Sequence, residues 1–163
     1  GRLGYNIYVT ERCALKILFL HGLESSPNSS KATFLRGKGH EVIAPELDPN
    51  DWDQSVLAAR QALVGHKPDV VVGSSRGGAV AMAARAKVPL VLVAPAWIKY
   101  APWATVTSRT TVIHSIDDAV IPFEHSEKMK RVFGVKLIEA GMSHRMSDLD
   151  ALAAILTACE EVA

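Results

Sequence analysis

Residues 69–86 read DVVVGSSRGGAVAMAARA. An apolar run is followed by a turn rich in glycine and serine and then by an alanine-rich segment, which predicts a buried strand, a sharp turn and a helix packed on a sheet. The turn contains a G-x-S-x-G pattern centred on Ser75, with Gly73 and Gly77 two residues away on either side. A serine at such a turn has a strained backbone, so both neighbours must be small. Ser74 has larger residues at those positions, which makes Ser75 the candidate nucleophile.

Apolar runs and amphipathic segments alternate along the rest of the chain. The runs are rich in Val, Ile and Leu and lack polar alternation, which is typical of strands buried on both faces. This order predicts a doubly wound α/β fold, with a mainly parallel sheet and helices on both of its faces. The predicted strands are Ile17–Leu20, Glu41–Ala44, Asp69–Gly73, Leu90–Ala94, Thr111–Ser115 and Val135–Ile138, with Tyr5–Val9 as a candidate antiparallel edge strand.

Capping residues set the expected ends of the helices. Ser30 is a candidate N-cap for a helix over Lys31–Gly37, and Asp51 with Gln54 forms a capping-box pattern. The other predicted helices are Gly77–Ala86, Pro122–Phe133 ending at Gly134, and a last helix capped by Ser147 with Leu149, Leu152, Leu156 and Cys159 on one face. Ligands bind beyond the carboxyl ends of the strands in such sheets, so the loops there hold the candidate site.

Length and charge limit the classes of protein that fit. The 163 residues, 48% of them hydrophobic, fit a single domain, 1–163, that needs neither disulfides nor metals to fold. A net charge of +1 does not predict nucleic acid or an anionic membrane as the main partner. The longest apolar runs are far too short to cross a bilayer. We expect a monomer or a small homo-oligomer.

The remaining composition favours a cytoplasmic protein without a cofactor. Cys13 and Cys159 are expected to be reduced thiols, with one disulfide as the alternative. No signal peptide is visible, although the chain starts with Gly1 and a leader or tag could have been removed. The sequence contains no phosphate-binding loop, dinucleotide fingerprint or H-E-x-x-H pattern. No metal or organic cofactor is therefore expected.

From about Lys16 to the last helix, the sequence resembles the α/β-hydrolase superfamily. The Ser75 turn is one part of the resemblance, and the segment Leu18–Leu23, an apolar strand ending in His-Gly, is similar to the oxyanion loop of that superfamily. The stretch that follows, Glu24–Pro27, is similar to the same stretch in a group of small bacterial esterases.

The resemblance implies an oxyanion hole made by the backbone N–H groups of Leu23 and Arg76. Gly22 would let the backbone approach the substrate closely. His21 precedes the nucleophile in the chain, which does not suit an acid–base partner in this fold. We expect His21 to be a packed or hydrogen-bonded loop residue.

Two further loops resemble the parts of the superfamily that carry the acid and the base. Residues 114–122 are similar to its H-G-x-x-D-x-x-V-P stretch, with serine in place of the glycine. Aligned on His114 and Pro122, the acid falls on Asp118, with Asp117 as the alternative. His144 follows the last predicted strand and matches the general base. The order serine, aspartate, histidine is that of α/β hydrolases.

These resemblances imply a serine hydrolase that cleaves small carboxylic esters through an acyl–serine intermediate. A thioesterase or peptidase with the same triad, and a scaffold that mainly binds a partner, are the alternatives. The interval Pro95–Arg109 is too short for a cap domain, so the expected substrate is a small acyl compound in an open site. Trp97, Tyr100 and Trp103 are predicted to form one wall of the pocket, against ordinary surface packing. The Arg76 side chain could attract anions, pair with Glu24 or point into water.

Overall fold

The computed structural model describes residues 13–163, which form a six-stranded sheet covered by helices on both faces. The strands are β1 (Lys16–Leu20), β2 (Glu41–Ile43), β3 (Val70–Ser74), β4 (Leu90–Val93), β5 (Thr110–His114) and β6 (Lys136–Glu139). Their order is β2-β1-β3-β4-β5-β6, and every neighbouring pair is parallel. This confirms the predicted doubly wound sheet. The candidate edge strand Tyr5–Val9 lies outside the described residues.

The helices divide between the two faces of the sheet. They are α1 (Ser30–Gly37), α2 (Trp52–His66), α3 (Arg76–Ala83), α4 (Trp97–Tyr100), α5 (Phe123–Phe133) and α6 (Leu149–Val162). Leu18 and Leu20 point to the face covered by α2, α3, α4 and α5, whereas Ile17 and Phe19 point to the face covered by α1 and α6. Because both faces are buried, β1 is apolar at successive positions.

Several predicted helix ends shift by one residue. Ser29, and not Ser30, caps α1 and accepts a hydrogen bond from the Ala32 amide. Asp148, and not Ser147, caps α6 through the Ala151 amide. Asp51 caps α2 as predicted, but the Gln54 side chain accepts from the Asp48 amide and not from that of Asp51, so only half of the predicted capping box forms. These serines were poor choices because a neighbouring side chain reaches the free amide instead.

The α6 face that packs on the sheet also differs from the predicted one. Leu152 and Cys159 are buried as expected, but Leu149 at the first position of the helix is 79% exposed. Ala151, Ile155 and Ala158 complete the buried face. The interval between β4 and β5 holds only the single turn α4, so no cap domain is inserted there. No helix within residues 13–163 has the length and apolar character to cross a bilayer.

Candidate active site

Ser75 is the one residue between the end of β3 and the start of α3. Its backbone has a φ of 54° and a ψ of −117°, in the positive-φ region that residues with a side chain rarely occupy. Four backbone hydrogen bonds hold this conformation: the Ser75 amide donates to the Val93 carbonyl, and the Ser75 carbonyl accepts from the amides of Gly78, Ala79 and Ala96. The strained turn predicted from the sequence is therefore present and anchored to β4.

The glycines around Ser75 are there for space. A Cβ on Gly77 would lie 2.0 Å from the Leu20 carbonyl oxygen, and one on Gly73 would lie 2.7 Å from the Gly77 carbonyl oxygen. Both contacts are with backbone, which cannot swing away. A larger residue at position 77 would push α3 away from the end of β1, and one at position 73 would push the start of α3 away from β3.

The structure brings Ser75, His144 and Asp118 into one hydrogen-bonded chain. The Ser75 Oγ lies 3.0 Å from His144 Nε2, and His144 Nδ1 lies 2.7 Å from Asp118 Oδ2. A carboxylate can only accept, so Nδ1 carries the proton and Nε2 accepts from the serine hydroxyl. His144 is thus in the tautomer that a general base for Ser75 requires.

Asp118 is a fully buried carboxylate in which both oxygens have partners. Its Oδ1 accepts from the amides of Val120 and Ile121, each at 2.8 Å, and its Oδ2 contacts the rings of His144 and His114. Burial alone would raise the pKa of Asp118, but the hydrogen bonds from His144 and the two amides outweigh it and leave that pKa below its usual value. Asp118 therefore stays ionised beside His144.

Asp117, the alternative acid, is in a different environment. Its side chain is exposed, and its amide donates to the hydroxyl of Ser115. That serine also donates to the carbonyl of Gly141. This bond ties the loop over residues 115–122, called here the acid loop, to the loop that carries His144. The contacts of the two aspartates favour Asp118 as the partner of His144.

His144 lies on a tight turn whose ends are fixed by α1 and α6. The Met146 amide closes the turn by donating to the Ser143 carbonyl. The Lys31 ammonium of α1 donates to the Arg145 carbonyl at 2.6 Å. Burial, followed by the charge of Arg145, lowers the pKa of Lys31 to about 8. Lys31 therefore links α1, which follows the loop after β1, to the turn over residues 143–146, called here the base turn.

The loop after β1 lies directly against the nucleophile. A Cβ on Gly22 would be 3.3 Å from the Ser75 Cβ. His21 is buried, donates from Nδ1 to the Gly22 carbonyl and accepts at Nε2 from the Leu47 amide. This confirms that His21 is a packed loop histidine.

The two expected oxyanion donors are backbone amides near Ser75. The amide of Arg76, at the first position of α3, has no carbonyl to bond within the helix, so it is free to donate to an oxyanion. Leu23, whose amide is the other expected donor, is half-exposed next to Gly22.

The Arg76 side chain turns away from the nucleophile, which corrects all three expectations for it. It is 3% exposed and donates to the Ser55 hydroxyl and the Asp48 carbonyl. Its guanidinium also lies over the rings of Trp52 and Tyr100. Arg76 therefore fastens α3 to α2 and does not face solvent, Glu24 or a bound anion.

The three aromatic residues after β4 do not form a single wall. Trp97 is 3% exposed in the core, and its indole N–H donates to the His125 carbonyl. Tyr100 stacks on Trp52 at 5.6 Å between ring centroids. Trp103 is 65% exposed. The pocket-wall prediction is wrong for Trp97, because α4 turns its ring towards α5, and stays a prediction for Tyr100 and Trp103.

An open groove of about 570 Å³ borders the acid loop. It is lined by apolar side chains such as Val120 and Phe123 and by the carboxylates of Glu124, Glu127 and Glu139. Asp118 also lines this groove but Ser75 does not, so the groove lies beside the acid and not over the nucleophile.

Three residues that contact the site were assigned no function there from the sequence. His114 was used only to align residues 114–122, although a histidine that ends a buried strand four residues before the acid is a usable signal. Ser126 lies on α5 and contacts His114 at 2.6 Å. Lys31 is a helix residue with no local signal, because its partner Arg145 is 114 residues away in the chain.

Comparison with known proteins places the chain in a family. A family model described as "Uncharacterised protein family (UPF0227)" matches residues 16–137. The chain belongs to this family. The match contains Ser75 and Asp118 and ends before His144. No curated protein is significantly similar to this UPF0227 member.

Solved structures show that the UPF0227 member has the α/β-hydrolase fold. A protein of the alpha/beta hydrolase superfamily from Xanthomonas campestris pv. campestris is 22% identical, with a TM-score of 0.71 over 90% of this chain and 96% of that one. Est1E from Butyrivibrio proteoclasticus is 13% identical, with a TM-score of 0.72 over 94% and 88%. Alpha/beta hydrolase domain-containing protein 10 from mouse is 18% identical, with a TM-score of 0.69 over 90% and 88%. At these identities the likeness concerns the fold.

Proposed function

We propose that this protein is a serine hydrolase that cleaves small carboxylic esters through an acyl–serine intermediate on Ser75. The observation that carries the proposal is the hydrogen-bonded chain from Ser75 Oγ through His144 to the ionised Asp118. A serine hydroxyl is a weak nucleophile unless a base lies within hydrogen-bond reach, and His144 Nε2 is at that distance. The α/β-hydrolase fold supports the same reaction class.

The first half of the reaction acylates the enzyme. Ser75 Oγ attacks the acyl carbon while its proton passes to His144 Nε2, and Asp118 stabilises the imidazolium that forms. The carbonyl oxygen becomes an oxyanion that accepts from the amides of Leu23 and Arg76. A donor of this kind is worth about 3 kcal/mol in the transition state. Cleavage of the C–O bond releases the alcohol, which takes the proton from His144.

The second half regenerates Ser75. Water loses a proton to His144 Nε2 as its oxygen attacks the acyl carbon, and the same amides hold the second oxyanion. The bond from the acyl carbon to Ser75 Oγ then breaks, the carboxylic acid leaves, and the serine recovers its proton from His144. Since no cap domain is inserted between β4 and β5, the proposed substrate is a small acyl compound bound in an open site.

Labelling with a fluorophosphonate probe tests the nucleophile. The wild type should be labelled, whereas Ser75→Ala should not. Ser74→Ala is the matched control, because Ser74 is the adjacent hydroxyl at the end of β3 and should leave labelling intact. Equal labelling of Ser75→Ala and the wild type would remove Ser75 from the mechanism.

Turnover of short p-nitrophenyl esters, acyl thioesters and short peptides tests the reaction class. Asp118→Asn should lower kcat by about 10⁴-fold, since the amide favours the wrong His144 tautomer. Asp117→Asn, at the exposed neighbouring carboxylate, should stay within about threefold of the wild type. A larger loss in Asp117→Asn would exchange the two assignments. Labelled wild-type protein that turns over none of the acyl compounds would favour a binding scaffold.

A further inference from the structure

The hydrogen-bonded chain from Ser75 does not stop at Asp118. The Nε2 of His114, at the end of β5, lies 3.0 Å from Asp118 Oδ2 and 3.1 Å from the Ile121 carbonyl. Its Nδ1 lies 2.6 Å from the hydroxyl of Ser126 on α5. His114 and Ser126 are both fully buried, and so is the Asp118 side chain. A line of contacts thus runs from α5 to the nucleophile.

The partners of His114 determine where its proton lies. Nε2 faces a carboxylate and a carbonyl, which can only accept, so Nε2 carries a proton and donates. Nδ1 faces a hydroxyl, which can donate to it. Each contact is therefore satisfied by a neutral imidazole protonated at Nε2. Protonation of Nδ1 as well would require Ser126 to turn its hydroxyl around.

Burial keeps this histidine neutral. Removal from water lowers the pKa of His114, and the opposing pull of Asp118 does not cancel that effect. Asp118, from the same loop, and His144, from the base turn, are the ionisable groups that act on it. A neutral donor holds the carboxylate without neutralising its charge, whereas a charged one would compete with His144 for Asp118.

We propose that His114 is a positioning residue that fixes the Asp118 carboxylate against His144, and that Ser126 fixes the His114 ring in turn. The assignment rests on the proposed function, in which Asp118 is the acid of the site. With Oδ1 held by two backbone amides, His114 supplies the additional donor that prevents Oδ2 from turning away from His144 Nδ1.

The test compares His114→Leu, which removes the donor, with His114→Gln, whose amide N–H can reach the position of Nε2. Loss of the donor frees Oδ2 to turn away from His144 Nδ1, so Asp118 stabilises protonated His144 less. In His114→Leu the acid limb of the kcat/KM profile should therefore move to lower pH by about half a unit to one unit. The kcat should fall about 10- to 100-fold while KM changes less than about threefold. His114→Gln should recover most of both effects.

Nitrogen-15 NMR of the imidazoles gives a readout that does not depend on turnover. The pH midpoint of the His144 signal should move to lower pH in His114→Leu and return towards the wild-type value in His114→Gln. An unmoved midpoint, or equal behaviour of the two variants, would overturn the positioning role. Absence of labelling and turnover in the wild type would instead overturn the proposed function.

Ser126→Ala covers the case in which His114→Leu fails to fold. It leaves the His114 ring in place and removes only its Nδ1 partner, so the midpoint should move in the same direction by a smaller amount. Circular dichroism identifies the folded variants. A folded Ser126→Ala variant with an unmoved midpoint would remove Ser126 from the proposal.

Discussion

Gly77 lies where the first turn of α3 passes the end of β1. A methyl group there would meet the backbone oxygens of Leu20 and His21 at 2.0 and 2.6 Å, which forces β1 and α3 apart. Gly77→Ala should therefore lower the free energy of unfolding by more than about 3 kcal/mol, measured by urea unfolding. Gly65→Ala is the control, because a Cβ at that α2 position meets nothing within 4 Å.

Gly65→Ala should raise the free energy of unfolding by about 0.5–1 kcal/mol, since alanine has a higher helix propensity than glycine. Similar losses in the two variants would mean that close approach to β1 is not what requires glycine at position 77.

The small residues around Ser75 were predictable because their spacing is local. Gly73 and Gly77 must be small for the turn to form, and that requirement appears directly as a five-residue pattern. The environment of Trp97 was not predictable in the same way. Whether Trp97 faces a pocket or the core depends on where α5 packs. The residues next to Trp97 in the sequence do not indicate that position, because α5 lies about 30 residues further along the chain.

Among the elements, α1 and the base turn are connected by the buried ammonium of Lys31. Its pKa of about 8 is below the ordinary lysine value of 10.5, so the folded protein binds this proton less tightly than the unfolded chain. The free energy of unfolding contributed by Lys31 is therefore lowest below pH 8 and rises as the pH approaches 10.5.

A comparison of the wild type with Lys31→Met isolates this effect. The stability of the wild type minus that of Lys31→Met should increase between pH 8 and 10.5 by up to about 3 kcal/mol. Urea unfolding at pH 7, 8, 9 and 10 measures it, with Lys87→Met at an exposed position as the control. A difference that stays constant with pH, as expected for the control, would mean that the Lys31 ammonium is not destabilised by burial.

The element ends show how far local signals reach. The strands were found to within a residue or two because continuous Val and Ile runs are rare outside buried strands. The caps of α1 and α6 were missed by one residue because adjacent polar residues compete for the same free amide. The single turn α4 had no periodic pattern, since four residues are too few to show one.

In the whole molecule, the two apolar clusters share a single sheet. Ile155 on α6 is 1% exposed on one face, whereas Trp52 and Trp97 pack on the other. Because each strand contributes side chains to both clusters, loss of one face should destabilise the other. Ile155→Ala should lower the free energy of unfolding by about 3 kcal/mol.

The measurement is urea unfolding followed by both tryptophan fluorescence and circular dichroism. The two transitions should coincide and shift together in Ile155→Ala, as in a two-state protein. Leu57→Ala, at an α2 position that is 54% exposed, should stay within about 0.5 kcal/mol of the wild type. A fluorescence transition that does not move in Ile155→Ala would show that the two faces unfold separately.

The layered architecture was predictable from the alternation of apolar runs and amphipathic segments along the chain. A strand buried on both faces is apolar at successive positions, and this pattern can be recognised in the sequence. The contacts that complete the candidate site were not. His114 with Ser126, and Lys31 with Arg145, join elements whose proximity arises only after the sheet forms.

The order of the site along the chain has a consequence for synthesis on the ribosome. The turn at Ser75 is anchored once β4 has emerged, through the bond to Val93. The turn at His144 also needs Asp148, at the start of α6, whose carboxylate accepts from the Met142 amide. The Ser75 turn therefore has its β4 partner in a nascent chain well before the His144 turn has its own, and under the proposed function the site is complete only when α6 has docked.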